Sequence, residues 1–176
     1  MSINTETEEF ITQKLLLELF EYSPVSGILT HKITTSNKTK KGSIAGYIND
    51  GGYLEISLFG NKYLVHRLIW KYVFNKFPDN FIDHINRIKV DNRLDNLREA
   101  TILQNSFNTT VRKDSTTGYK GVSLDKRCGK YRAYININSK QKSLGYYTTA
   151  YEAHLVRDKH ALESHGEFFN ESTIHS

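Results

Sequence analysis

Asp83-His84-Ile85-Asn86, then Asp91-Asn92-Arg93-Leu94-Asp95-Asn96-Leu97-Arg98, then Gln104-Asn105 place one histidine beside a carboxylate, with amides 12 and 21 residues after the histidine. These are the groups needed to hydrolyse a phosphodiester with one metal ion. A histidine takes a proton from water near neutral pH, while Asp and Asn oxygens hold a hard divalent cation on the phosphate.

The flanking pattern supplies a frame for these groups. Leu68, Ile69, Tyr72 and Val73 form the apolar stripe of a short helix starting near His66, and Pro78 separates it from a strand over 81–85. A turn at 86–90 leads through Asn96 to a helix over about 101–108. The strand can present Asp83 and His84 at its end, and the helix can carry Asn105 back towards them. Asn92, Asn96 and Arg98 offer local hydrogen bonds. His66, at the helix start, either bonds within the core or approaches the site.

From His66-Arg67-Leu68-Ile69-Trp70 through Asp83-His84-Ile85-Asn86, Asp91-Asn92-Arg93 and Asn96-Leu97-Arg98 to Gln104-Asn105, the chain resembles the phage-type branch of the HNH homing endonucleases, in the ββα-metal nuclease superfamily. The resemblance implies His84 as general base, Asp83 and Asn105 as metal ligands, and Asn96 as the middle residue that braces the histidine. It implies magnesium or manganese as the cofactor. The last motif position is Asn105 rather than His, a variant familiar in this branch. At the hairpin turn, where the family usually has Asn-Gly, this chain has Asn86-Arg87.

A length of 176 residues suits one or two small domains, and 38% hydrophobic residues with a mean hydropathy of −0.53 indicate a soluble protein. No apolar run approaches the roughly 20 residues that span a bilayer, and no signal sequence opens the chain. The expected location is the compartment of synthesis, the host bacterial cytoplasm for a phage-encoded chain. The single Cys128 excludes a disulfide framework and any zinc site built from paired cysteines, so no structural zinc is expected.

The net charge of +5 is unevenly spread. Residues 1–21 have one Lys against five Glu, for −4, whereas 110–142 have nine Lys or Arg against two Asp, for +7. A basic stripe concentrates a polyanion and makes binding to phosphates salt-dependent. Within it Arg112, Lys113, Lys126, Arg127, Lys130 and Lys142 are candidate DNA contacts. Arg93 and Arg98, inside the motif, either grip phosphates or pair with Asp91, Asp95 or Glu99.

Thr5 with Glu8 and the spacing of Phe10, Ile11, Leu15, Leu16, Leu19 and Phe20 predict an amphipathic helix over about 5–22. Glycine-punctuated, alternating segments then predict antiparallel strands near 44–49, 53–59 and 62–66. Residues 110–118 read as a basic linker. Beyond it, strands are expected near 119–124, 131–137 and 140–147. The middle strand sets Tyr131, Ala133, Ile135 and Ile137 against a polar face of Arg132, Tyr134 and Asn136. Thr149 and Glu152 open a capped helix rich in alanine, with Gly166 beyond its end.

Gly118-Tyr119-Lys120-Gly121-Val122, Gly129-Lys130-Tyr131-Arg132-Ala133, Leu144-Gly145-Tyr146-Tyr147-Thr148 and Glu152-Ala153 resemble the APETALA2/ethylene-response-factor DNA-binding domain. That fold lays its sheet in the major groove, which implies Arg132, Tyr134 and Asn136 as DNA contacts.

The expectation is therefore an α+β chain with four segments: an N-terminal helix and small antiparallel sheet (1–65), a ββα-metal HNH motif (66–109), a linker (110–118), and a three-stranded sheet packed on one helix (119–170). The expected activity is metal-dependent endonucleolytic cleavage of double-stranded DNA by a monomer or homodimer. The rival classes are a DNA-binding regulator with a vestigial nuclease site and a nucleic-acid-packaging protein.

Overall fold

The helix that begins at Gln13 starts where a side chain can cap it. Thr12, in extended backbone, accepts a hydrogen bond from Leu15 N through its hydroxyl at 3.2 Å, and α1 runs over Gln13–Leu19. This computed structural model describes residues 8, 10–37, 39–109, 111, 114–137 and 140–169, so Thr5 lies outside the described residues. The helix is shorter than the periodicity over 5–22 suggests. Phe20 and Tyr22 alternate into the core as strand β1 (Phe20–Ser23), which pairs antiparallel with β2 (Ile28–His31) across a tight turn. Period-two burial overrides helical spacing there.

The chain is α+β and divides into two units, Met1–Ile102 and Leu103–Ser176. In the first, β3 (Tyr47–Ile48), β4 (Leu54–Leu58) and β5 (Asn61–Leu64) form an antiparallel sheet in that order, close to the expected strands. Helix α2 (Val65–Phe74) follows and ends at Asn75 in the left-handed conformation. It buries Val65, Leu68 and Ile69 against Leu16, Phe20, Leu29, Ile56, Ile82 and Leu97. Each such aliphatic side chain contributes about 1.5–3 kcal/mol when fully buried. Strand β6 (Phe81–His84) pairs antiparallel with β7 (Leu97–Ala100), and a 3-10 turn at Leu94–Asn96 feeds β7.

Helix α3 (Ile102–Phe107) lies at the division. In the second unit β8 (Val122–Asp125), β9 (Lys130–Ile137) and β10 (Lys140–Tyr147) form an antiparallel sheet with β9 central. Helix α4 (Ala150–His165) packs on it through Ala153 against Val122 and Ala133, where small side chains allow close approach. The Thr149–Glu152 capping box is present, as expected. Among the described residues, no helix is long and apolar enough to cross a membrane.

Candidate active site

Strand pairing sets the first two groups of the site. The β6–β7 register places Asp83 opposite Arg98 and His84 opposite Leu97. Asp83 is 5% exposed, and Arg98 donates to its Oδ2 from Nε at 2.9 Å and from Nη2 at 2.8 Å. Arg98 therefore pairs with Asp83 rather than with Asp91, Asp95 or Glu99. A carboxylate taken out of water needs such a partner, because desolvating an unpaired charge costs several kcal/mol.

His84 ends β6 and is buried. Its Nε2 lies 2.9 Å from Asn92 Oδ1. With the amide oxygen as acceptor, Nε2 carries the ring proton and Nδ1 the lone pair. Asn92 is itself 0% exposed and is held from two sides. Tyr22 on β1 donates its hydroxyl proton to Asn92 O at 2.9 Å. The β1–β2 turn also presses its backbone on the same segment. A Cβ on Gly27, which has φ +70°, would stand 2.4 Å from Arg93 N and 2.7 Å from Asn92 C, so only glycine fits there.

Asn96 bonds to the loop that follows His84. Its Oδ1 accepts from Asn86 N at 2.9 Å, and its Nδ2 donates to Asn86 Oδ1 at 3.0 Å and to Asp91 O at 2.8 Å. Its backbone oxygen accepts from Ile85 N. Arg87 N donates to His84 O at 2.9 Å, closing the turn, and Arg87 adopts φ +65°, a conformation more easily held by the glycine usual at this turn. Asp91 accepts Nε and Nη2 of Arg93 and Nδ2 of Asn86, which hold its carboxyl well below the usual carboxylate range. Arg93 thus takes the ion-pair alternative left open by the sequence.

Two aromatic rings surround His84. His66, at the start of α2, meets it edge-on with ring centroids 5.1 Å apart, and Tyr53 lies 5.9 Å from His84 and 5.5 Å from His66. His66 thus approaches the site. Lys89 donates to Gly51 O at 2.8 Å and lies 4.7 Å above the Tyr53 ring. Burial pushes the His84 imidazole below its ordinary value, with the Asn92 hydrogen bond and the Asp83 charge pulling the other way. Burial, aided by the His84 and Arg67 charges, drives His66 down to about 3. Both rings are neutral at neutral pH, and a neutral imidazole can accept a proton.

Asn105 is a half-buried residue of α3 in the second unit. Asp83 and Asn105 are hard oxygen donors of the type that magnesium or manganese takes. Among the described residues, no three His, Cys, Asp or Glu side chains gather as a metal cluster.

The polar face expected on the C-terminal sheet is present. Ala133 and Ile135 are buried, and the alternate residues Arg132, Tyr134 and Asn136 point away from them, with the Arg132 guanidinium 5.9 Å from the Tyr134 ring. Lys126 and Arg127 are exposed in the β8–β9 turn, where Arg127 pairs with Asp125 at 2.8 Å, and Lys130 is exposed at the start of β9. Lys142 stands opposite Ile135, which assigns it to the other face of the sheet. Arg112 and Lys113 lie outside the described residues.

Comparison with known proteins meets this geometry in the same segment. Residues 63–107 match the family model described as HNH endonuclease. The match contains β6, the histidine loop, β7 and α3, so the likeness seen in the sequence falls where Asp83 and His84 are assembled. Protein 3.8 of Escherichia phage T7 is 34% identical over 77 residues, covering 43% of this chain and 64% of its own length. The uncharacterized HNH endonuclease L560 of Acanthamoeba polyphaga mimivirus is 32% identical over 124 residues, covering 69% of this chain and 63% of its own length. The chain thus spans just under two thirds of each of these relatives. No solved structure matches it significantly.

Sequence reasoning valued Asn92 only as a local donor and acceptor, although it touches the ring directly. Its one signal was its place in the loop eight residues after His84. Tyr53 gave none, being brought in by β4 from a separate stretch of chain.

Proposed function

We propose that this chain is a divalent-metal-dependent DNA endonuclease of the HNH homing type. The observation that carries the reading is the buried His84 ring, fixed by Asn92 beside Asp83, inside the segment that matches HNH endonucleases. His84 accepts a proton from water, which attacks phosphorus in line as the P–O3′ bond breaks. Asn92 sets the direction of the imidazole, and Asn96 holds the loop from which Asn92 reaches it. Asp83 and Asn105 would be the oxygen donors for a magnesium or manganese ion, which would supply charge stabilisation on the phosphate and the departing oxygen. Arg98 pairs with Asp83 in its buried position and supplies the opposite charge.

Double-stranded DNA is the substrate, engaged by a monomer or a homodimer. The C-terminal sheet, similar to the APETALA2-type module, anchors it through Lys126, Arg127, Lys130, Arg132, Tyr134 and Asn136, with Arg112 and Lys113 of the linker adding charge. Arg93 turns to phosphate only where DNA competes with Asp91.

The test is incubation of the purified protein with supercoiled plasmid, with and without magnesium. Nicked or linear product that requires the metal is expected. His84→Ala should lower the rate about 100-fold to 10,000-fold, with gel-shift affinity retained. Unchanged plasmid under all conditions would instead support a DNA-binding regulator.

A further inference from the structure

A cleft of about 510 Å³ opens within the second unit and includes Tyr134 and Asn136 of β9 in its lining. Its size lies in the range of small-molecule sites and exceeds what a lone ion or a water would fill. Phe107, Ser115, Tyr119, Asn136, Arg157 and His165 contribute to its lining. Phe107 and His165 stack face to face, 3.6 Å apart and within 5° of parallel. Tyr119 is stacked in turn on His154 at 4.5 Å. Such rings make an apolar wall able to take another flat group.

The polar side of the cleft is unusual. Arg157 is 4% exposed; its Nη1 donates to Asp158 Oδ1 at 2.8 Å, but its Nε has no hydrogen-bond partner among the described residues. A buried guanidinium N–H left without an acceptor is costly, and Arg prefers carboxylate or phosphate oxygens. The backbone is shaped to admit this side chain. Gly121 has φ +68°, and a Cβ there would stand 3.2 Å from Arg157 Nε and 2.4 Å from Tyr134 O. Lys120, also on the wall, is committed to structure. Its ammonium donates to Ser106 O, Phe107 O and Thr109 O at 2.9–3.2 Å, closing the C-terminal end of α3. Asp114 is exposed at the rim and Asp158 already faces Arg157, so the site suits one phosphate group rather than a cluster of them.

We propose that this cleft binds one nucleotide unit, its phosphate on the Arg157 guanidinium and its base against the aromatic wall. Base stacking on aromatic side chains is tolerant of sequence, and an arginine beside it supplies the phosphate contact. The unit is either a free nucleoside monophosphate or a nucleotide of a single strand. This inference does not rest on the proposed catalytic groups, since none of its residues belongs to the histidine loop, although Asn136 also lies on the strand proposed to meet DNA.

The test is calorimetric titration of the full chain with dAMP, deoxyadenosine, inorganic phosphate and a short single-stranded oligodeoxyadenylate. Saturable dAMP binding at least about tenfold tighter than either fragment is expected, because both halves of the site are then used. An oligonucleotide that binds tighter still identifies a strand as the source; one that binds no better identifies the free nucleotide. Arg157→Gln should weaken dAMP at least about tenfold, and so should Thr116→Glu, a carboxylate added at an exposed rim position where folding is not at stake. Absence of dAMP and oligonucleotide binding, or wild-type affinity in Thr116→Glu, overturns the proposal even if Arg157→Gln fails to fold.

Discussion

Asn92 Oδ1 meets His84 Nε2 at 2.9 Å, so an amide eight residues along the chain, buried beneath the β1–β2 turn, sets the ring of the proposed general base. Asn96 acts one step further out, on the loop that carries Asn92. Losing Asn92 therefore affects ring orientation first. Asn92→Ala should cut plasmid cleavage about 10-fold to 100-fold, the scale for residues that orient a functional group, while DNA affinity stays within about twofold. Asn92→Asp, which keeps an acceptor oxygen, should retain more activity than Asn92→Ala. Equal activity in the two variants would show that the contact is only structural.

The Asp83–Arg98 pair is 6% and 14% exposed at its side chains. Arg98→Leu withdraws the guanidinium from a buried carboxylate and should cost about 3 kcal/mol in chemical denaturation, whereas Asp83→Asn with Arg98→Leu should recover part of that loss. Additive single-variant effects would show that the pair is not coupled.

Folding keeps His66 neutral down to about pH 3, against 6.5 for a free imidazole. Below pH 6.5 the unfolded chain takes up a proton that the folded chain refuses, so stability falls as pH drops from 6.5 towards 3, by at most about 1.4 kcal/mol per unit. His66→Phe preserves a flat ring and should flatten this dependence between pH 6.5 and 5.5, where carboxylates scarcely titrate. Urea midpoints that fall equally in both proteins would contradict it.

Gly27→Ala drives a methyl group into the Asn92–Arg93 backbone, while Gly52→Ala, at φ +79°, meets only Lys89 Cδ at 3.6 Å. Both carry the left-handed penalty of about 1–2 kcal/mol. Only Gly27→Ala should also lower cleavage beyond what lost stability explains. A matched loss in the Gly52 variant would remove the link between the turn and the histidine.

On duplex DNA, Lys130→Ala and Arg132→Ala should each reduce the slope of log affinity against log salt by about 0.9, the value for one lost phosphate contact. Lys142, on the other face of the sheet, serves as the control and should leave the slope unchanged. Identical slopes for all three variants would remove the sheet face from the DNA interface.

Much of this molecule was legible in local sequence. Alternation marked β4 and β9, the Thr149–Glu152 box marked the start of α4, and Asp83-His84 stood at the end of an expected strand. Those signals are short-range: a pleat repeats every two residues, and a cap bonds three residues on. They misled where two periods competed, as at Phe20 and Tyr22, whose burial on β1 ended the helix early.

What tertiary structure decided was the choice of partner. Arg98 had Asp91, Asp95 and Glu99 nearby in sequence, yet the β6–β7 register brought it to Asp83. Asn92 and Asn96 offered the same amide chemistry, but only Asn92 is fully buried beneath Gly27 and Tyr22 and bonded to His84. Composition and spacing specify which donors and acceptors a loop owns. Which of them are desolvated, and so bound to find one another, depends on the chain that folds over them.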